Sequence, residues 1–296
     1  MIVCLGDLFV DVLIQRRPDR GTSITVAAGG SAANTAAWLA GTGVPVGLVA
    51  AAGADPSGDM LVEQLSQRGV REGVARVVNQ TTGVMIMEVL PQRPGPPTVD
   101  RGANEWLRLG LPQVALLCQA RWLHCTAYAF HGEPSRSTVG EAGRIARAAG
   151  AMISLDLGAA HLVAHVGLDR YTTLIQDLAP DCLFANEEEA ALLARPGQTP
   201  LGALAAFAPT VIVKRGRAGC AVWTGSAEST FPAVPAEVVD PLGAGDAFAA
   251  GVVYGLWRQE PMTEAIARGL TLGAQCVGIL GGQPPPSVNR EMAGGS

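Results

Sequence analysis

Short, mostly apolar runs recur along this chain with helical patterns between them, and that alternation is what most narrows the folds open to it. The runs are Ile2–Leu5, 46–50, 122–126, 151–155, 182–185 and 210–213. A strand apolar on both faces belongs inside a sheet covered from both sides, as parallel strands joined by helices are. Helical patterns occupy 31–40, 57–68, 133–149, 168–178 and 262–280, so the expected class is α/β. The chain has 296 residues, 48% hydrophobic and 16% charged, enough for a sizeable core. It carries no internal repeat, linker or low-complexity block, which favours one domain over 1–296.

A net charge of -5 with no basic stripe argues against nucleic acid and anionic membranes as partners. The first seven residues lack a basic region and break at Gly6-Asp7, which reads as a strand and not a signal peptide. No run has the roughly 18 apolar residues of a spanning helix. The six cysteines form no C-x-x-C pair and lie mostly in apolar segments. They fit core thiols in a reducing cytoplasm. Lys214 is the sole lysine of the chain.

The stretch from Val239 to Gly251 carries the chemistry. Gly243-Ala244-Gly245 follow a proline turn, and Asp246 opens an apolar run to Trp257 that reads as a buried helix. Glycines let N–H groups approach an oxyanion, and a helix start leaves donors unpaired beside the positive end of its dipole. Asp246 is a helix cap on spacing alone. A cap needs no Gly-x-Gly before it, however, whereas phosphoryl transfer to a hydroxyl needs a base beside an anion cradle.

Other candidates lie at strand ends. Asp7 and Asp11 follow the first strand, where open α/β sheets bind ligands; solvated turn acids are the competing reading. Residues 22–26 alternate like an edge strand outside the main sheet, and 82–89 with its continuation toward Asn104 reads as a partner. Together, segments 10–28 and 82–104 form an expected flap over a pocket, with Asn104 on its substrate side, and the flap excludes water. Gly29 and Gly30 allow close backbone approach, and Asn34, one turn into the next helix, needs a polar partner: backbone or a substrate hydroxyl. Asn186 followed by Glu187, Glu188 and Glu189 is good helix-capping chemistry and equally a carboxylate group able to serve hydrated Mg²⁺. Lys214, Gly216 and Gly219 end one strand and turn into the next, either as a plain hairpin or as a nucleotide-phosphate contact. The tail 291–296 is expected to be disordered.

The run Gly29-Gly30-Ser31-Ala32-Ala33-Asn34 and the run Asp240 to Gly251, about two hundred residues apart, resemble the two signatures of the ribokinase-like (PfkB) carbohydrate kinases. Asn186 to Glu189 is similar to that family's N-x-x-E motif, and 214–219 lies where its nucleotide-binding turn belongs. The four stand in family order across nearly the whole chain. The resemblance implies a doubly wound, mostly parallel sheet flanked by helices, with a small β-sheet lid over the sugar. It implies ATP and Mg²⁺ as cofactors, with a monovalent cation such as K⁺ in some members, and lids that pair into homodimers in many. Asp246 would be the general base, and Gly243, Ala244 and Gly245 the anion hole. Asp11, Gly30 and Asn34 would bind acceptor hydroxyls. Asn186 and Glu189 would organise Mg²⁺ and phosphate, Lys214 and Gly216 would face ATP, and Asp240 would support the monovalent cation.

Some positions depart from the family pattern. Pro241-Leu242 stand where Thr-Thr is frequent, Lys214 where Thr or Ser is common. Asp156-Leu157-Gly158 lacks the Asn and Arg of many sugar-acid kinases and is closer to adenosine kinases, so a nucleoside acceptor stays open beside a sugar. A dinucleotide-binding dehydrogenase lacks its third glycine here, and a Walker-type NTPase lacks its G-x-x-x-x-G-K-[ST]. A non-catalytic sugar-binding protein on the same fold would not need Asp246.

Overall fold

The computed structural model describes residues 1–17, 21–90, 97–194, 198–225 and 227–285. The tail expected to be disordered and most of the turn at 91–97 lie outside them. The first half runs β1 (Ile2–Leu5), β2 (Phe9–Arg17), β3 (Gly21–Gly29), α1 (Ser31–Gly41), β4 (Val46–Gly53), α2 (Pro56–Gln67), β5 (Val70–Val77), β6 (Val84–Glu88) and β7 (Thr98–Asp100). It continues through α3 (Leu111–Cys118), β8 (Trp122–Thr126), α4 (Ser135–Ala148), β9 (Met152–Asp156), α5 (Ala160–Val166) and α6 (Leu168–Leu178). The last part holds β10 (Cys182–Asn186), α7 (Glu187–Leu193), α8 (Pro200–Leu204), β11 (Thr210–Lys214), β12 (Cys220–Thr224), β13 (Ala227–Phe231), α9 (Ala244–Trp257) and α10 (Met262–Val277).

Nine strands form one sheet in the order β13-β12-β11-β10-β9-β8-β1-β4-β5. It is parallel from β11 through β5, and β12 and β13 extend it antiparallel. Strand order reverses around β1, which pairs with β4 on one side and β8 on the other. Within β1, Val3 and Leu5 face one apolar layer and Ile2 and Cys4 the other. The first layer is closed chiefly by α4, α6 and α7, the second by α1, α9 and α10. Two-sided burial is why these strands read as unbroken apolar runs.

A separate sheet has the order β3-β2-β6-β7. Its first strand corrects one expectation: Asp11 does not lie in a loop at the end of β1. It sits in β2, opposite Ala27 of β3 and Met85 of β6. Two helix boundaries also differ. The last helix stops at Val277 and not near 280, and α9 begins at Ala244 with Gly243 as its N-cap. Asp246 is therefore inside the first turn of α9 and does not cap it. Among the described residues, no helix is long and apolar enough to cross a membrane.

Candidate active site

The carboxyl ends of β1, β9, β10 and β11 and the N-terminus of α9 converge on one cleft. The turn before α9 is built by Asp240, whose Oδ1 accepts the Leu242 N–H at 3.0 Å and Oδ2 the Gly281 N–H at 2.9 Å. Gly243 has φ +75°, and a Cβ there would lie 2.4 Å from the Gly282 Cα. Only glycine fits. The Ala244 N–H reaches Pro241 O at 3.4 Å, whereas those of Gly245 and Asp246 meet no acceptor among the described residues. These are the unpaired donors that a helix start offers to an anion.

Asp246 is fixed from α1. Its Oδ1 accepts the Ser31 hydroxyl at 2.7 Å and its Oδ2 the Asn34 amide at 2.9 Å. Burial pushes its carboxyl up to about 6, against the pull of those two hydrogen bonds. Asn34 Oδ1 and Asp11 Oδ1 are buried with no hydrogen-bond partner. Buried polar atoms are almost always paired, so these two have hydrogen-bonding capacity to spare for a ligand. Burial first, then the charges of Asp246 and Asp240, pushes Asp11 up to about 8, so it carries a proton at neutral pH and can donate. Gly29 leaves room for it, since a Cβ there would lie 1.9 Å from Asp11 Oδ2. Gly30, at φ +97°, lies against the Asp7 carbonyl.

Two of the substrate-side candidates are held by partners within the protein. Asn104 is closed on the backbone: its Oδ1 accepts the Leu8 N–H, and its amide donates to the carbonyls of Leu8 and Arg101. It ties the small sheet to the end of β1 and has no amide hydrogen left for a ligand. Asp7 is buried and accepts from Arg101 at 2.9 Å, and the same guanidinium holds the Tyr128 carbonyl. Its charge is answered within the protein.

On the other side of α9 lies a cavity of about 610 Å³, lined by Lys214, Gly216, Gly219, Gly245 and Phe248 among others. Gly219 is there for packing, because a Cβ would lie 1.9 Å from the Phe231 carbonyl oxygen. Asn186 caps α7 in a closed box: its Oδ1 accepts the Glu189 N–H, and Glu189 accepts from both the N–H and the amide of Asn186. Burial raises the Glu189 carboxyl, and the ammonium of Lys214 partly offsets this. Lys214 donates to Asp156 at 2.6 Å. Burial lowers its basicity, but Asp156 and Glu189 more than offset that and keep it an ammonium. Asp240, with both oxygens on backbone N–H groups, clamps the loop.

The sequence reading missed Ser31, Asp156 and the segment Gly281–Gln283. Ser31 is legible in the sequence only as the hydroxyl within the run Gly29 to Asn34. The segment joins the site through Gly281 and through Gly282, whose carbonyl accepts from Trp38 at 2.9 Å.

A family profile, pfkB family carbohydrate kinase, matches residues 1–288. A fructokinase from Klebsiella pneumoniae is 31% identical over 85% of this chain and 83% of its own length. An ATP-dependent ribose-1-phosphate kinase from Halopiger xanaduensis is 30% identical, over 90% and 85%. Among solved structures, the adenosine kinase of Sinorhizobium meliloti superposes with a TM-score of 0.87 at 22% identity, covering 96% of this chain and 95% of that one. An E. coli protein solved with ATP and Mg²⁺ gives 0.83 at 22% identity, covering 97% and 95%. These two likenesses concern the fold.

Proposed function

Because the chain belongs to the pfkB family of carbohydrate kinases, we propose that it moves the γ-phosphoryl of ATP to a hydroxyl of a sugar or nucleoside, with Asp246 as the base. The single observation that carries this reading is the position of Asp246. It is bonded to Asn34, whose Oδ1 has no partner, and directly follows Gly245, which lines the cavity with its N–H free. Asp246 would take the proton of a primary hydroxyl, while the N–H groups around Gly243, Ala244 and Gly245 hold charge on the phosphoryl oxygens.

ATP fits the 610 Å³ cavity, with its phosphates toward Gly245 and Lys214 and its base among apolar residues such as Phe248. Mg²⁺, when bound with the nucleotide, would offset the charge of its phosphates. Among the described residues, no group of three or more His, Cys, Asp or Glu side chains is disposed around a metal ion. Asn186 and Glu189 would hold the nucleotide's hydrated Mg²⁺. We place any monovalent-cation role of Asp240 behind its role as clamp.

The test is ADP release from ATP and Mg²⁺ against a panel of pentoses, hexoses, sugar phosphates and nucleosides. Response to one class would identify the acceptor; silence with intact ATP binding would favour a binding protein on the same fold. Within the responding class, Asn34→Ala is expected to raise the acceptor KM by about tenfold or more and the ATP KM far less. Equal effects on both would remove Asn34 from the acceptor site.

The small sheet would act as the lid. Its register puts Val12, Ile14, Ile24, Val26 and Ile86 on the face opposite Asp11. Ile24 is 63% exposed, Val26 51% and Ile86 41%. An apolar sheet face of this kind suits a second lid, giving a homodimer. Sedimentation should report a dimer that Ile24→Asp with Val26→Asp converts to monomer; a monomeric wild type would remove the dimer.

A further inference from the structure

We infer that Lys214, held in place by Asp156, is a catalytic cation that binds the phosphoryl group in transit; this rests on the kinase reading above. Lys214 ends β11 and Asp156 ends β9, with β10 between them. The ammonium reaches across that strand to Asp156 Oδ2 at 2.6 Å, and the two side chains are 18% and 5% exposed. Only one of its three donors is thereby used. No second acceptor lies within hydrogen-bond reach among the described residues.

The unused donors stand at a telling place. Lys214 Nζ lies 3.3 Å from where a Cβ on Gly245 would be, and both residues line the nucleotide cavity. A partly exposed ammonium with free donors therefore stands beside the unpaired N–H groups that open α9. Two sets of donors free of protein acceptors and facing one cavity suit an anion with several oxygens. Asp246 follows Gly245 directly, so the spot is where the phosphoryl passes from ATP to the acceptor. The bond from the β,γ-bridging oxygen to the γ-phosphorus breaks, the acceptor oxygen bonds to that phosphorus, and its proton goes to Asp246. Lys214 remains an ammonium throughout and stabilises the charge spread over the equatorial oxygens.

The residue type matters as well. The other 20 basic residues of the chain are arginine. An arginine would serve equally well to neutralise Asp156, but its planar fork suits two-point pairing with that carboxylate, whereas a compact ammonium bonded once to Asp156 leaves two donors for another anion. A cation present only to neutralise the buried Asp156 and Glu189 would have no use for those two donors.

The experiment compares binding of ADP and of a non-hydrolysable ATP analogue, each with Mg²⁺, by calorimetry. The proteins are wild type, K214R, D156N and the D156N/K214M double variant, in which Asp156 leaves no unpaired carboxylate behind. The double variant is expected to bind ADP within about threefold of wild type, to bind the triphosphate about tenfold or more weakly, and to lose about 10²-fold or more in kcat. K214R keeps the ion pair but should lose at least about tenfold in kcat. D156N should lower kcat about tenfold with little change in the KM for ATP, as expected of a residue that positions Lys214. Full turnover in K214R, or equal weakening of both nucleotides in a folded double variant, would overturn the inference. Wild type that binds neither nucleotide would overturn the kinase reading itself and this inference with it.

Discussion

Asp246→Asn is expected to lower kcat by about 10² to 10⁴-fold, the usual worth of a general base, while ATP still binds. The substitution keeps the shape of the side chain and its place between Ser31 and Asn34, so the loss would report the missing proton acceptor. The pH profile gives an independent check. Burial holds the Asp246 carboxyl near 6, and a base must be ionised to act. Hence kcat/KM should rise about tenfold per pH unit below that value and level off above it. A profile that falls as pH rises through 6, or near-normal turnover of a folded Asp246→Asn variant, would remove Asp246 as the base.

Gly243→Ala should affect both fold and catalysis. The left-handed conformation at φ +75° costs a residue with a Cβ about 1–2 kcal/mol. The new methyl would also meet the Gly282 Cα at 2.4 Å, on a segment already held by Asp240 and Trp38. Neither side can yield without breaking those bonds. We expect Tm to fall by about 5 °C or more and kcat by at least about 10²-fold, because the turn that aims the N–H donors must move. Gly245→Ala is the contrast. Its methyl meets only the end of the Lys214 side chain, at 3.3 Å, so Tm should change little while turnover falls. Calorimetry and turnover on the two variants separate strain from chemistry, and equal Tm losses would show the steric account to be wrong.

How far the sequence is legible depends on the range of the interactions. The strands of the large sheet can be read because burial on both faces leaves a local mark, as in Ile2–Leu5. The N-terminus of α9 can be read because its glycines are local requirements of the turn. By contrast, β2 hides in a segment where Asp11 and Gln15 interrupt the apolar pattern, and it becomes a strand by pairing with β3 and β6. Asp156 looks like an ordinary strand-end acid until Lys214, 58 residues later, is folded against it. Asn104 is ambiguous in the sequence for the same reason: a polar residue at the expected lid edge suits a ligand as well as it suits the Leu8 backbone, and its bonds to Leu8 are visible only in the fold.

The bonds that orient Asp246 come from residues 215 and 212 positions away, and Trp38 reaches Gly282 across 244. Contacts of that separation close the largest loops in the chain and reward folding only after the intervening sheet is in place. A partly folded or shortened chain would therefore hold the proposed base and the proposed acceptor-binding residues on unconnected pieces. Turnover would then report completion of the whole fold, and an acceptor spanning the cleft would tie the N-terminal α1 and the C-terminal α9 into one cooperative unit, protecting both from hydrogen exchange together.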